Sequence, residues 1–204
     1  REFRVLSGLN SVSFPTPKAQ GFCDDETVIG AKFMLMDFVD GRVIESAETA
    51  MTLSHVQASE ISQNLVDTLA QLHSVDPEAA GLGKLGRPEG YLQRQVKRWG
   101  EQWQLTKTRE LPEIEKLHAW LEVAISKLPT NLPSAIVHGD YRIDNVILDP
   151  KTSEIIAVLD WEMSTLGDPI SDLAISLVYW SQAGDTLRNE IPVAQEVTSG
   201  PGFW

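Results

Sequence analysis

The sequence predicts an α+β domain that is mainly helical, with its short strands gathered late in the chain. Three apolar, largely β-branched runs, Ala135–Val137, Val146–Leu148 and Ile155–Leu159, follow one another closely. Ahead of them, long stretches carry apolar residues at three- and four-residue spacing, the mark of amphipathic helices. Composition agrees: 42% hydrophobic and 23% charged residues suit a folded core rather than a disordered chain. The length, 204 residues, suits one substantial domain, or a large lobe with a small one.

Arg1 to Leu9 reads as a helix, with Phe3, Leu6 and Leu9 on one side and Pro15 and Pro17 beyond its end. Two strand-like runs follow, Gly21–Cys23 and Phe33–Val39, separated by the turn residues Asp24, Asp25 and Glu26. Ser54–Ser74 is the first long helix, with Ile61, Leu65, Leu69 and Leu72 in one stripe and Asp76-Pro77 ending it. His73, at its end, reads as a capping or structural histidine. Gly81–Gly90 is a glycine-rich connector; it follows a helix and lacks the lysine and hydroxyl of a phosphate loop. Tyr91–Trp103 and Leu111–Leu128 form a helical pair whose Trp99, Trp103 and Trp120 could line a substrate pocket, although aromatic residues at helical spacing usually pack. Leu173–Trp180 reads as a buried helix, and Arg188–Trp204 as a polar tail without an element of its own.

The strand-rich stretch carries the chemistry. Its first run ends on His138-Gly139-Asp140, and Asn145 follows five residues after Asp140. A hairpin turn, Asp149-Pro150-Lys151-Thr152-Ser153, then leads to the third run, which ends on Asp160. A carboxylate, a carboxamide and a second carboxylate therefore sit at the ends of short strands. The spacing His138-x-Asp140-x-x-x-x-Asn145 is that of a kinase catalytic loop, with glycine in place of arginine, and Asp160-Trp161-Glu162 stands where kinases carry a metal-binding Asp-Phe-Gly. Phosphoryl transfer needs these residue types: Asp140 to accept the proton of an attacking hydroxyl, and Asn145 and Asp160 as hard oxygen ligands for Mg²⁺. Each has a plainer reading. Asp140 and Asn145 could be turn residues, and Asp160 a helix N-cap.

His138-Gly139-Asp140-Tyr141-Arg142-Ile143-Asp144-Asn145, followed by Ala157 to Ala174 (AVLDWEMSTLGDPISDLA), resembles the aminoglycoside phosphotransferase/choline kinase family. Within it, the likeness is to the phosphotransferase domain that some proteins carry fused to an acyl-CoA dehydrogenase. The resemblance implies a protein kinase-like two-lobe fold, with residues 1–40 a remnant of the N-terminal lobe and hinge, and 41–204 the catalytic lobe. It implies Asp140 as catalytic base, Asn145 and Asp160 as metal ligands, and Asp172 bracing the catalytic loop, which His138 supports. Arg142 sits where many protein kinases place a phosphate-contacting lysine; a surface ion pair is the alternative. Glu2 would pair with the ATP-contacting lysine, or be merely solvated, and the backbone groups of Asp37 and Val39 would bond the adenine edge. ATP and Mg²⁺ are the implied cofactors, and a small hydroxylated metabolite the implied acceptor. No glycine-rich loop or strand lysine precedes Glu2, and the family's later helices would follow Trp204, so the expectation is a chain truncated at both ends.

Charge and cysteine content narrow the classes. A net charge of −12, from 17 basic and 29 acidic residues, argues against nucleic-acid and anionic-membrane binding. The single Cys23 makes no internal disulfide, which fits a cytoplasmic protein, and no apolar run reaches membrane-spanning length. His55, His73, His118 and His138 lack metal-ligand spacing, against a metal-dependent hydrolase. Two readings remain: a metabolite kinase, or a kinase-like module that binds a nucleotide or partner without transferring phosphate.

Overall fold

The computed structural model describes residues 1–129, 132–182, 184 and 196–203. Helix α1 (Glu2–Ser11) buries Val5, Leu6 and Leu9. Phe3 stays at the margin, its ring 5.9 Å from that of Phe22. Strands β1 (Ala19–Cys23) and β2 (Phe33–Met36) form an antiparallel hairpin from Cys23↔Phe33 to Ala19↔Met36. The sequence suggested a strand through Val39, but the ladder stops sooner. Its last bond runs from the Asp37 N–H to the Lys18 carbonyl, 2.9 Å, and the next residue back, Pro17, has no N–H to continue it.

After the short helix α2 (Ala47–Ala50) comes α3 (His55–Ser74), the longest element. Ser54 and Gln57 close a reciprocal capping box at its start. Ile61, Leu65, Leu69 and Leu72 are all buried, as their spacing predicts. Helices α4 (Tyr91–Thr106) and α5 (Pro112–Ser126) pack chiefly on each other. Their outer faces therefore stay open, and the expectation that the tryptophans pack fails for two of them: Trp99 is 58% and Trp120 63% exposed.

The late strands form two ribbons. Strand β3 (Ala135–Val137) pairs antiparallel with β6 (Thr165–Gly167), a strand the sequence pattern did not reveal. Strands β4 (Val146–Leu148) and β5 (Ile155–Val158) form the expected hairpin, with Val146 opposite Val158. Asp149 shapes its turn by accepting from the N–H groups of Lys151 and Thr152. Helix α3 lies across β3 and β5, and α1 lies against the turn Trp161–Met163. The fully buried Trp161 joins these layers, edge-on to Phe14 at 5.9 Å and 4.6 Å from the His138 ring.

Helix α6 (Ile170–Tyr179) reverses the expectation of a buried apolar helix. Asp172 is its one fully buried residue, whereas Leu173, Leu177 and Val178 face outward. The reason is that its inward face is polar and bonded to the loop after β3. The tail also differs from expectation. Residues 188–195 lie outside the described residues, but Glu196–Ser199 make a 3-10 turn that buries Val197 and Thr198. The Thr198 hydroxyl accepts from the Ser181 N–H at 2.8 Å, and Phe203 lies edge-on to Trp180. No helix among the described residues is long and apolar enough to cross a membrane.

Candidate active site

Strand β3 delivers His138, Gly139 and Asp140 to one end of the ribbon. Gly139 has φ +90°, and a Cβ there would lie 2.9 Å from both the Met163 Cβ and its carbonyl oxygen, so only glycine fits. The turn is held from α6. The buried Asp172 carboxylate accepts from the His138 N–H at 2.7 Å and the Gly139 N–H at 2.8 Å. It also accepts from His73 Nε2 at 3.0 Å, so three donors meet one carboxylate with no direct access to water.

His138 is fully buried and its ring is bonded at both nitrogens. Nε2 donates to the Leu159 carbonyl at 2.7 Å, and Nδ1 accepts from the Asp140 N–H at 3.2 Å. These partners fix the neutral Nε2–H tautomer. Burial pushes its pKa below the ordinary value, against an upward pull from the Leu159 carbonyl and the Asp172, Asp140 and Asp160 carboxylates. The next side chain, Tyr141, donates to the Leu65 carbonyl at 2.9 Å, and burial pushes its phenol pKa up.

A 3-10 turn, Ile143–Asn145, then returns the chain to Asp140. Asn145 Nδ2 donates to the Asp140 carbonyl at 2.8 Å and lies 3.3 Å from Asp140 Oδ2. Because both partners are acceptors, they fix the amide orientation and leave Asn145 Oδ1 directed away from them. The Leu159 N–H donates to the Asn145 carbonyl at 2.8 Å, which brings the end of β5, and so Asp160, alongside Asn145. Asp160 has φ +61° and ψ +64°, a left-handed conformation that costs a non-glycine residue about 1–2 kcal/mol. It caps nothing: its side chain makes no cap bond to the turn that follows, and it is exposed.

Arg142 closes the other side of Asp140. Its Nε is 3.2 Å from Asp140 Oδ1, near enough for an ion pair but not aligned as a hydrogen bond. Its Nη1 is 3.3 Å from Asp144 Oδ2, and its guanidinium carbon sits 4.7 Å from the Tyr179 ring centre. Asp140, Arg142, Asn145, Asp160, His138 and Asp172 thus gather around one turn. The other candidates lie apart. Glu2 is half-buried at the first position of α1, and no ion pair engages it among the described residues. Asp37 accepts from Gln20 through its side chain and uses its N–H on Lys18, while Val39 lies beyond the end of β2.

The donor set fits a magnesium ion. Among the described residues no cluster of three or more His, Cys, Asp or Glu is poised for a metal. Magnesium does not need one, because it binds through one or two protein groups and keeps water and phosphate oxygens as its remaining ligands. Asn145 Oδ1 and the unbonded Asp160 carboxylate are such a pair of hard oxygens. The sequence reading named His73 as a structural histidine without its bond to Asp172, and missed Ser176 and Tyr179, which contact this turn. Ser176 and Tyr179 stand four and seven residues after Asp172, a helical spacing that could have found them.

The model of the phosphotransferase enzyme family (APH) matches residues 1–202. The chain is 42% identical over 209 aligned residues to human acyl-CoA dehydrogenase family member 11, covering 98% of this chain and 26% of that protein. It spans about a quarter of the length of such curated relatives. Among solved structures it superposes on a candidate aminoglycoside phosphotransferase from Ralstonia eutropha with TM-score 0.81 and 37% identity, covering 92% of this chain and 56% of that one. The fold extends to the aminoglycoside phosphotransferase APH(4)-Ia in ternary complex with ADP and hygromycin B. There the TM-score is 0.65 and the identity 16%, over 87% of this chain and 61% of that one. A kinase-like α+β fold and a family match along nearly its whole length lead to one conclusion: the chain belongs to the phosphotransferase enzyme family.

Proposed function

We propose that this chain is the ATP- and Mg²⁺-dependent kinase domain of a protein that also carries an acyl-CoA dehydrogenase body, and that it phosphorylates a hydroxyl of a small metabolite. The observation that carries the proposal is the convergence of Asp140, Asn145 and Asp160 at the ends of β3 and β5, with Asn145 bonded to Asp140. The relatives named as acyl-CoA dehydrogenase family members support the fusion, and the neighbour crystallised with ADP supports nucleotide use.

On this reading Asp140 accepts the proton as the acceptor hydroxyl forms its bond to the γ-phosphorus and the bond to the ADP oxygen breaks. Asn145 Nδ2 holds the Asp140 carboxylate in place, and Arg142 balances charge on the transferred phosphoryl group. Asn145 Oδ1 and Asp160 would hold Mg²⁺, which when bound neutralises phosphate charge. His138 and Asp172 fix the turn, so that the base is oriented before substrate arrives. The Asp37 carbonyl and the Val39 backbone would meet the adenine edge. Residues 1–40 serve as nucleotide lobe and hinge, with Glu2 as partner of a lysine, and 41–204 serve as catalytic lobe.

The test is transfer of labelled γ-phosphate from ATP to a panel of hydroxylated metabolites by the full-length protein. Asp140→Asn keeps the shape of the site and removes the base, so turnover should fall about 10²- to 10⁴-fold. Turnover near wild type in that variant would remove Asp140 from the mechanism.

A further inference from the structure

The inward face of α6 touches the catalytic turn at three successive points. Asp172 accepts from the His138 and Gly139 N–H groups, and the Ser176 hydroxyl donates to the Tyr141 carbonyl at 2.7 Å. The Tyr179 ring then lies under the Arg142 guanidinium at 4.7 Å. Positions 172, 176 and 179 follow i, i+4, i+7, one stripe of a helix, and their contacts run along the loop in order. The first two contacts hold backbone. The third holds a side chain.

Arg142 needs holding. Its guanidinium stands between two carboxylates, Asp140 and Asp144, and its buried Nε has no aligned hydrogen bond. With no aligned bond at Nε, the attraction of the two carboxylates leaves the tilt of the group free. An aromatic ring under the guanidinium carbon at 4.7 Å limits that freedom and adds a cation–π attraction, here at a half-buried site. The carboxylates occupy Nε and Nη1, and Nη2 makes no ion pair among the described residues.

We infer that Tyr179 is a positioning residue: it fixes the plane of the Arg142 guanidinium so that the free edge meets the terminal phosphate of the bound nucleotide. The inference rests on the proposed function and adds to it a residue outside the catalytic motif. Tyr179 acts through Arg142, and it acts through its ring. Tyr179→Phe therefore keeps the function and Tyr179→Leu loses it.

The experiment compares the affinity of the full-length protein for Mg·AMP-PNP and for Mg·ADP, which differ by the terminal phosphoryl group. Wild type and Tyr179→Phe should both favour Mg·AMP-PNP. Tyr179→Leu should shrink that preference by about three- to ten-fold, the size expected of a cation–π contact. In an Arg142→Met background, Tyr179→Leu should shrink nothing further. A merely structural tyrosine would shift both nucleotides equally, and that outcome overturns the inference. So does a wild-type preference that survives in Tyr179→Leu. If Tyr179→Leu melts below the assay temperature, Tyr179→Met replaces it under the same criteria. Absence of Mg²⁺-dependent nucleotide binding in wild type would instead overturn the proposed function.

Discussion

His138 shows how one residue couples burial to the state of the site. Its Nδ1 must stay unprotonated to accept the Asp140 N–H, and burial, which depresses its pKa, keeps it so. The consequence for stability has a definite sign. Above pH 6.5, the ordinary value, the ring is neutral in both folded and unfolded chains and contributes fully. As pH falls below that value the unfolded chain takes up the proton first, so folding stability declines until the folded ring is protonated as well. Once protonated, Nδ1–H would face the Asp140 N–H, donor against donor, and the turn that carries Asp140 would open. Melting temperature should therefore fall as pH is lowered from about 6.5, and His138→Gln should flatten that slope. An unchanged slope in the glutamine variant would place the sensitivity elsewhere. The motif spacing made His138 legible as a supporting residue; its bonds to Leu159 and Asp140 lay beyond any spacing rule.

At the scale of elements, α6 acts as a bracket for the turn after β3, and Asp172 is its main bolt. Three donors converge on this buried carboxylate. Asp172→Asn keeps the shape but sets an amide NH₂ against a backbone N–H, leaving at least one buried donor unpaired. Loss of a charge-assisted bond together with an unpaired buried donor should cost about 2–4 kcal/mol, read as a lowered midpoint in denaturant unfolding. A midpoint within error of wild type would mean that the turn holds itself. The turn after β3, the β4–β5 hairpin and the stripe of α3 were legible because each is a local pattern: a motif, a turn between apolar runs, a helical period. The β3–β6 ribbon was not, because Thr165–Gly167 has no β-branched run and earns its pairing only from a neighbour distant in sequence. Nor was the bond from His73 to Asp172, which joins residues 99 apart. Helix α6 misled for a physical reason. Its apolar residues suggested burial, yet Asp172, Ser176 and Tyr179 take the inward side and turn Leu173, Leu177 and Val178 outward.

For the whole molecule, charge decides how a nucleotide can bind. With a net charge of −12 the protein repels free ATP, and around Asp140 the nearby carboxylates Asp144 and Asp160 add to that field. Arg142 is already shared between Asp140 and Asp144. On the proposed reading the site accepts a triphosphate only as its magnesium complex, held through Asn145 and Asp160. A ligand that binds the folded state alone stabilises it by about 2.7 kcal/mol at a hundred times its dissociation constant, which for a domain of this size raises the melting temperature by roughly 5–10 °C. Mg·ATP should produce such a rise in the full-length protein, and ATP with a chelator should produce little. Asp160→Ala should abolish the rise. That side chain makes no cap bond to the turn that follows, so its loss should lower the unliganded melting temperature only by the cost of holding alanine instead of aspartate at φ +61°. A full rise in Asp160→Ala, or an equal rise without Mg²⁺, would mean that the nucleotide is held by cationic side chains, and the pair Asn145 and Asp160 would lose its assignment to the metal.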